Sequence, residues 1–248
     1  MTAAQRRPGG QRLIGRYPVA SLHLVGADLP PDPRAPSHWR PGPAPLQHGV
    51  DYTFARWHGL VPVRWWPESV ICVRLASEAD SMAAAKESVD AVVAELRELT
   101  GLELRSGPPL GRPIDIRRIP EQEIHVSYLP SAWSRQIRRL AGDLPAGGAA
   151  PTQDGAWYRR GWAIVDTDLA AEPALSTIGP AVLRHQLGHA LGLDHAARRR
   201  VLMHQRIPVD LDRYSRADRH GLALLGGSRP APHDPQSPPD QERTVPCC

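Results

Sequence analysis

Lysine is almost missing from this 248-residue chain: Lys86 is the only one, so the net charge of +4 is carried nearly wholly by arginine. The clusters Arg138-Arg139 and Arg198-Arg199-Arg200 are short and have no aromatic residues interleaved, which argues against a nucleic-acid surface. Cysteine is scarce as well. Cys72, Cys247 and Cys248 cannot build a disulfide framework. No apolar run reaches the roughly 20 residues of a membrane span. Residues 17–27, behind Arg6, Arg7, Arg12 and Arg16, have the layout of a signal peptide, but Pro18, Ser21 and His23 interrupt the apolar part. The expectation is a cytoplasmic chain without a membrane span, with secretion as the alternative. Oligomeric state is not legible.

Proline, by contrast, is plentiful, and it is unevenly spread. Residues 1–60 hold Pro30-Pro31-Asp32-Pro33 and Pro41-Gly42-Pro43-Ala44-Pro45 and read as a poorly ordered Pro/Arg-rich arm, and 227–248 read as a disordered Pro-rich tail. His38, His48 and His58 recur at intervals of ten with nothing else repeating, a coincidence. Between the two ends, residues 61–226 carry enough apolar pattern for one domain.

Within that domain, Val63-Arg64-Trp65-Trp66 and Ser69 to Leu75 have the β-branched, alternating character of strands. Val89, Val92, Val93, Leu96 and Leu99 form a 3.6-residue stripe, so Ser77 to Thr100 is predicted as a helix stopped by Gly101. Further strands are expected at Glu103-Leu104-Arg105, Ile114-Asp115-Ile116 (the last of these only a loop in the alternative), Glu123 to Leu129 and Gly161 to Asp168, with a Gly/Pro/Ala-rich surface loop at 141–155. His125 reads as a strand residue with no metal. Asp166 and Asp168 are candidates for calcium, though no further oxygen ligands are in view.

The chemistry concentrates in His185-Gln186-Leu187-Gly188-His189-Ala190-Leu191-Gly192-Leu193-Asp194-His195. His185 and His189 are one helical turn apart and project from one face, so both can reach one zinc ion. A continuing helix would point residue 195 elsewhere. Gly192 can adopt the left-handed conformation that turns the chain, and His195 is then delivered from outside the helix. Ser176 or Thr177 is the candidate N-cap, with Pro180 near the first turn. Satisfied histidines on an ordinary helix are the bland alternative; a closed four-ligand structural site is disfavoured because no cysteine is near.

This pattern resembles the metzincin zinc peptidases, whose signature is H-E-x-x-H-x-x-G-x-x-H followed by a methionine turn, here Val201-Leu202-Met203. The order of Trp-rich strand, long helix ending at Leu99-Thr100-Gly101-Leu102, and closing helix from Tyr214 to Gly226 is similar to matrixin catalytic domains. The resemblance implies an α+β fold, with a twisted mixed sheet, a long N-terminal helix, an active-site helix and a C-terminal helix after the Met-turn. It implies zinc on His185, His189 and His195 over Met203, and a peptide or protein substrate. It also implies that the strand Trp162-Ala163-Ile164-Val165 forms the sheet edge above the cleft, to which an extended peptide adds by main-chain hydrogen bonds. The cysteine that caps the zinc in matrixin propeptides has no counterpart, because the first cysteine is Cys72.

One position departs from the signature. Gln186 stands where the family has its catalytic glutamate, the group that takes the proton from water and returns it to the leaving amine while the metal polarises the carbonyl. Glutamine can hydrogen-bond water but cannot carry its proton. Three readings stay open: an active zinc metalloendopeptidase whose glutamate has been exchanged, a natural pseudopeptidase that binds peptide or protein, and a non-peptidase zinc enzyme acting on a small molecule. Asp194, His204, Gln205 and Tyr214 are the residues from which a replacement base or oxyanion donor would come, none of them compelling.

Overall fold

The computed structural model describes residues 45–76, 82–140, 142, 144–168, 178–208 and 210–226. The expected helix start at Ser77, the N-cap at Ser176 or Thr177, the N-terminal layout before residue 45 and the tail beyond residue 226 lie outside them.

A six-stranded sheet organises the domain. Its central strands are β5 (Val70–Leu75), β7 (Glu123–Leu129) and β9 (Trp157–Asp166); β6 (Glu103–Ser106) flanks β5, and β4 (Arg64–Trp65) pairs with the start of β9. These five strands run parallel in the order β4-β9-β7-β5-β6, and β8 (Gly147–Pro151) adds antiparallel to β9. Register is set by pairs such as Arg74↔His125 and His125↔Trp162. Parallel neighbours need crossover connections, and the first of these is α1 (Met82–Thr100), whose stripe Val89, Val92, Val93 and Leu96 is buried. The stripe packs with Ile71, Val73, Leu75, Ile124, Val126, Ala163 and Val165 in the main core. That core also receives Leu183, Leu187 and Leu191 from α3 (Ile178–Leu191), and Leu222 and Leu225 from α4 (Arg216–Gly226).

The opposite face of the sheet is covered too. Trp162 and Ile164 pack there with Ala76, Ile114, Ile116 and Ile119, and Ile137 of α2 (Ser131–Leu140) leans on them. Burial on both faces explains why Glu123 to Ser127 is buried at every position instead of alternating. His125 is accordingly a buried strand residue, 2.6 Å from the Glu123 carboxylate. Among the described residues no helix is long and apolar enough to cross a membrane.

Four expectations are corrected. Ile114 to Ile116 is not a strand: Asp115 accepts from the Arg117 amide and caps a 3₁₀ turn at Ile116–Arg118. Residues 147–151, read as part of a surface loop, form β8; a Cβ at Gly147 would strike Gln186 of α3 and one at Gly148 the Trp162 ring, so both positions call for glycine. Trp162 to Val165 is not an edge, since Trp162 and Ala163 pair with β7 on one side and with Gly148 and Gly147 on the other, and the Ile164 amide donates to the Ala146 carbonyl. The outer position beside α3 belongs to β8. Finally, the fold reaches back past residue 61. Residues Thr53–Phe54 form β1, antiparallel to β10 (Leu193–Asp194), and His48, Tyr52, Phe54 and Trp57 pack ring against ring. Their aromatic area outweighs the proline content that suggested an unfolded arm as far as residue 60.

Candidate metal centre

Helix α3 runs between the sheet and the C-terminal helix and places His185 and His189 on one face. It stops at Gly192, whose φ of 116° is open to glycine but strained for an L side chain. A Cβ there would also lie 2.7 Å from the Tyr158 ring. The Gly192 amide closes the last turn onto Gly188 and His189, and β10 then pairs with β1 before the chain reaches His195. Asp194 accepts from the His195 amide at 2.7 Å, so it fixes the backbone of the third histidine.

The three imidazoles converge. Nε2 of His185 is 3.0 Å from Nε2 of His189, and Nε2 of His195 is 3.3 Å from each of them. Nδ1 of His185 lies 2.8 Å from the Leu202 carbonyl, and Nδ1 of His189 lies 2.9 Å from the Leu193 carbonyl. A carbonyl oxygen only accepts, so both Nδ1 atoms carry the proton and both Nε2 atoms present lone pairs. Lone pairs pressed together at this distance repel, and a cation between them relieves the repulsion. Zinc bonds to imidazole at about 2.0–2.1 Å, and the edge of such a tetrahedron is about 3.3–3.4 Å. The observed separations and the donor set fit that ion, and the carbonyls behind the rings hold them in ligating orientation. This triad is the group of metal-ligating side chains found among the described residues.

Burial, and after it the neighbouring His189, push the His185 imidazole down to about 3; burial and, more weakly, His195 take His189 down to about 4. His195 is lowered too, chiefly by burial. Both lie below the 6.5 of an ordinary imidazole, so as pH falls the unfolded chain takes up protons first. The contribution to stability is therefore complete above pH 6.5 and is lost as pH falls toward 4 and 3. For zinc-free protein the denaturant midpoint is expected to drop through this window, and His185→Asn to flatten the drop. A midpoint that rises on acidification contradicts the burial of these rings.

Met203 is buried against α3, its sulfur filling the space that a side chain at Gly188 would need. The loop carrying it is held by Asp218, which is fully buried and accepts from the amides of Leu202 (2.8 Å), Met203 (3.1 Å) and Ser215 (2.8 Å). In return the Asp218 amide donates to Ser215 Oγ, a capping box at the start of α4. The same Leu202 peptide thus binds Asp218 through its N–H and His185 through its carbonyl. The Ser-x-x-Asp spacing at the start of this helix was the available signal for the cap, but nothing in the sequence tied Asp218 to the loop that carries Met203.

Gln186 is half-buried and faces β8. A Cβ at Gly147 would stand 2.6 Å from both its backbone oxygen and its Oε1, so only glycine lets the strand pass this close to the helix. Of the residues weighed as substitutes for the missing base, Tyr214 is buried and donates to the Arg184 carbonyl at 2.6 Å, with its hydroxyl pushed well above 10 by burial. His204 takes the Arg206 amide on Nδ1 in the loop after the Met-turn, Gln205 is exposed, and Asp194 is committed to His195. Asp166 and Asp168 are spoken for as well: they receive the hydroxyl and amide of Ser131 and so cap the N-terminus of α2, a carboxylate role that needs no calcium.

No family model and no curated protein matches this chain. Among solved structures it is similar to archaemetzincin from Methanopyrus kandleri, at 16% identity, over 64% of this chain and 96% of that one, with a TM-score of 0.40. A likeness of that size assigns neither family nor activity, and the three-histidine centre stands on its own geometry.

Proposed function

We propose that this chain is a zinc protein of the metallopeptidase type, with His185, His189 and His195 as ligands, and that its hydrolysis of peptides is strongly reduced by Gln186. The observation that carries the reading is the set of imidazole nitrogens 3.0–3.3 Å apart with their tautomers set by the Leu202 and Leu193 carbonyls. Met203 packed against Gly188 of the ligand-bearing helix, and a C-terminal helix after it, support the metzincin, matrixin-like form of the proposal.

When bound, zinc at this place supplies Lewis acidity toward a peptide carbonyl. The protein supplies the rest. Strand β8, outermost in the sheet and against α3 at Gln186, takes over the peptide-pairing role first given to Trp162–Val165; its backbone offers main-chain hydrogen bonds that do not depend on substrate side chains. Gln186 donates and accepts hydrogen bonds in the cleft, but its carboxamide has no proton to exchange at neutral pH. Binding and orientation therefore remain while proton transfer is lost. The same glutamine supports a second reading, a pseudopeptidase that holds peptides without turnover.

Zinc content is the test. Purified at neutral pH and dialysed, the chain is expected to retain one zinc, and His185→Ala, His189→Ala and His195→Ala each to lose it. Protein that takes up no zinc, or variants that keep the same metal content, would sink the proposal.

A further inference from the structure

The arginine cluster at 198–200 has no role in the metal centre, and the fold brings it beside an apolar surface. Strands β2 (Trp57–His58) and β3 (Val61–Pro62) make a hairpin that pairs only with itself, turned at Gly59-Leu60. Leu60 at its tip is 95% exposed, Val61 53%, Trp57 47%, and Val50 nearby 42%. These are four of the seven large apolar residues left exposed among those described. Such a concentration on one short stretch is not ordinary surface scatter.

The basic cluster is fastened to this stretch. The Arg198 amide donates to the Val50 carbonyl at 2.9 Å and its guanidinium pairs with the buried Asp51, while Arg199 and Arg200 are exposed. His48 links the two parts, its ring 5.1 Å from that of Trp57. Residues 48–62 and 195–200 hold Arg56, Arg198, Arg199 and Arg200 against one acid, Asp51, already neutralised by Arg198. Asp154, which approaches His58, is engaged by the Thr152 hydroxyl and the Ala156 amide.

We infer that this face docks on an anionic lipid surface. A protruding hairpin with leucine and valine at its tip is convex, so a protein partner would need a matching cavity, whereas the headgroup and acyl boundary of a bilayer deforms around it. Trp57 sits at the base of the protrusion, the level at which indole favours the interface. The exposed guanidinium groups of Arg199 and Arg200, on the segment fastened at Val50, match phosphate headgroups and add to the attraction of the buried apolar area. The basic segment begins three positions after His195 in the chain. The inference does not depend on zinc or on peptide hydrolysis.

The test is co-sedimentation of the full chain with vesicles of phosphatidylcholine alone and of phosphatidylcholine with phosphatidylglycerol, at low and high salt. Binding is expected on the anionic vesicles only, with loss at high salt. Leu60→Ser is expected to weaken it about tenfold, and Arg199→Gln with Arg200→Gln about 30-fold. Both variants replace exposed side chains, so thermal midpoint and zinc content serve as controls that stay unchanged. Failure to sediment with anionic vesicles overturns the inference. So does binding that Leu60→Ser leaves untouched, which is charge adhesion without insertion, and so does retention on polyglutamate but not on vesicles, which assigns the face to an acidic protein.

Discussion

Zinc-loaded Gln186→Glu protein is expected to hydrolyse peptides about 10²–10⁴-fold faster than the chain as it stands, the range a positioned general base contributes. Residue 186 follows the first ligand directly on α3, half-buried against β8. A glutamate differs from glutamine there by one heavy atom of nearly equal size, so the helix and its approach to Gly147 are undisturbed. What changes is that the side chain gains a carboxylate able to accept a proton from attacking water and pass it to the departing amine. Amines leave poorly unless protonated, so restoring the second transfer matters as much as the first. A quenched-fluorescent peptide library, read for both proteins side by side with metal content measured in the same samples, makes the comparison. If both are inert while each holds zinc, the cleft is not a peptidase cleft for that library, and peptide binding or small-molecule chemistry becomes the better account.

The second large effect is expected at Asp218. Its carboxylate takes three amide hydrogen bonds in a fully buried position, two from the loop that carries Met203 and one from the start of α4. Asp218→Ala leaves those three N–H groups without an acceptor and opens a polar void. With about 1–3 kcal/mol for each buried group left unsatisfied, a loss of at least about 3 kcal/mol of folding stability follows. The site should loosen as well. Because the Leu202 peptide joins Asp218 to the His185 ring, release of the loop frees that ring to turn, and supporting contacts of this kind are worth about 10–100-fold in metal affinity. Urea unfolding reads the first effect and competition against a zinc chelator the second. A stability loss with zinc affinity unchanged would mean that Asp218 holds the fold and has no part in orienting the ligands.

These expectations draw on different depths of the sequence. The candidate metal centre was legible because each of its parts is local: His185 and His189 lie four positions apart, one turn of an α-helix, and a glycine at 192 marks the turn that delivers His195. The buried stripe of α1 was legible for the same reason, since it repeats with the helical period. Ser215 and Asp218 have the spacing of a helix start, but the hold of Asp218 on Leu202 and Met203 was not legible, because that contact joins two segments folded over one another.

Local pattern alone determined α1, α3 and α4, the strands with β-branched residues and the spacing of the three histidines; α2 was not foreseen. Tertiary structure decided the rest. Gly147-Gly148-Ala149-Ala150 carries no strand propensity, and it is a strand because β9 supplies hydrogen-bond partners, while Gln186 of α3 and the Trp162 ring leave no room for side chains at its two glycines. Trp162 and Ala163 became internal by the same pairing, which no property of those residues forecasts. Residues 45–60 joined the domain because Thr53 and Phe54 found Leu193 and Asp194, and that contact also brought Arg198 to Val50. Periodicity reports how one segment sits against an average surround, whereas pairing depends on partners elsewhere in the chain, 16 positions away for Gly147↔Ala163 and 141 for Thr53↔Asp194.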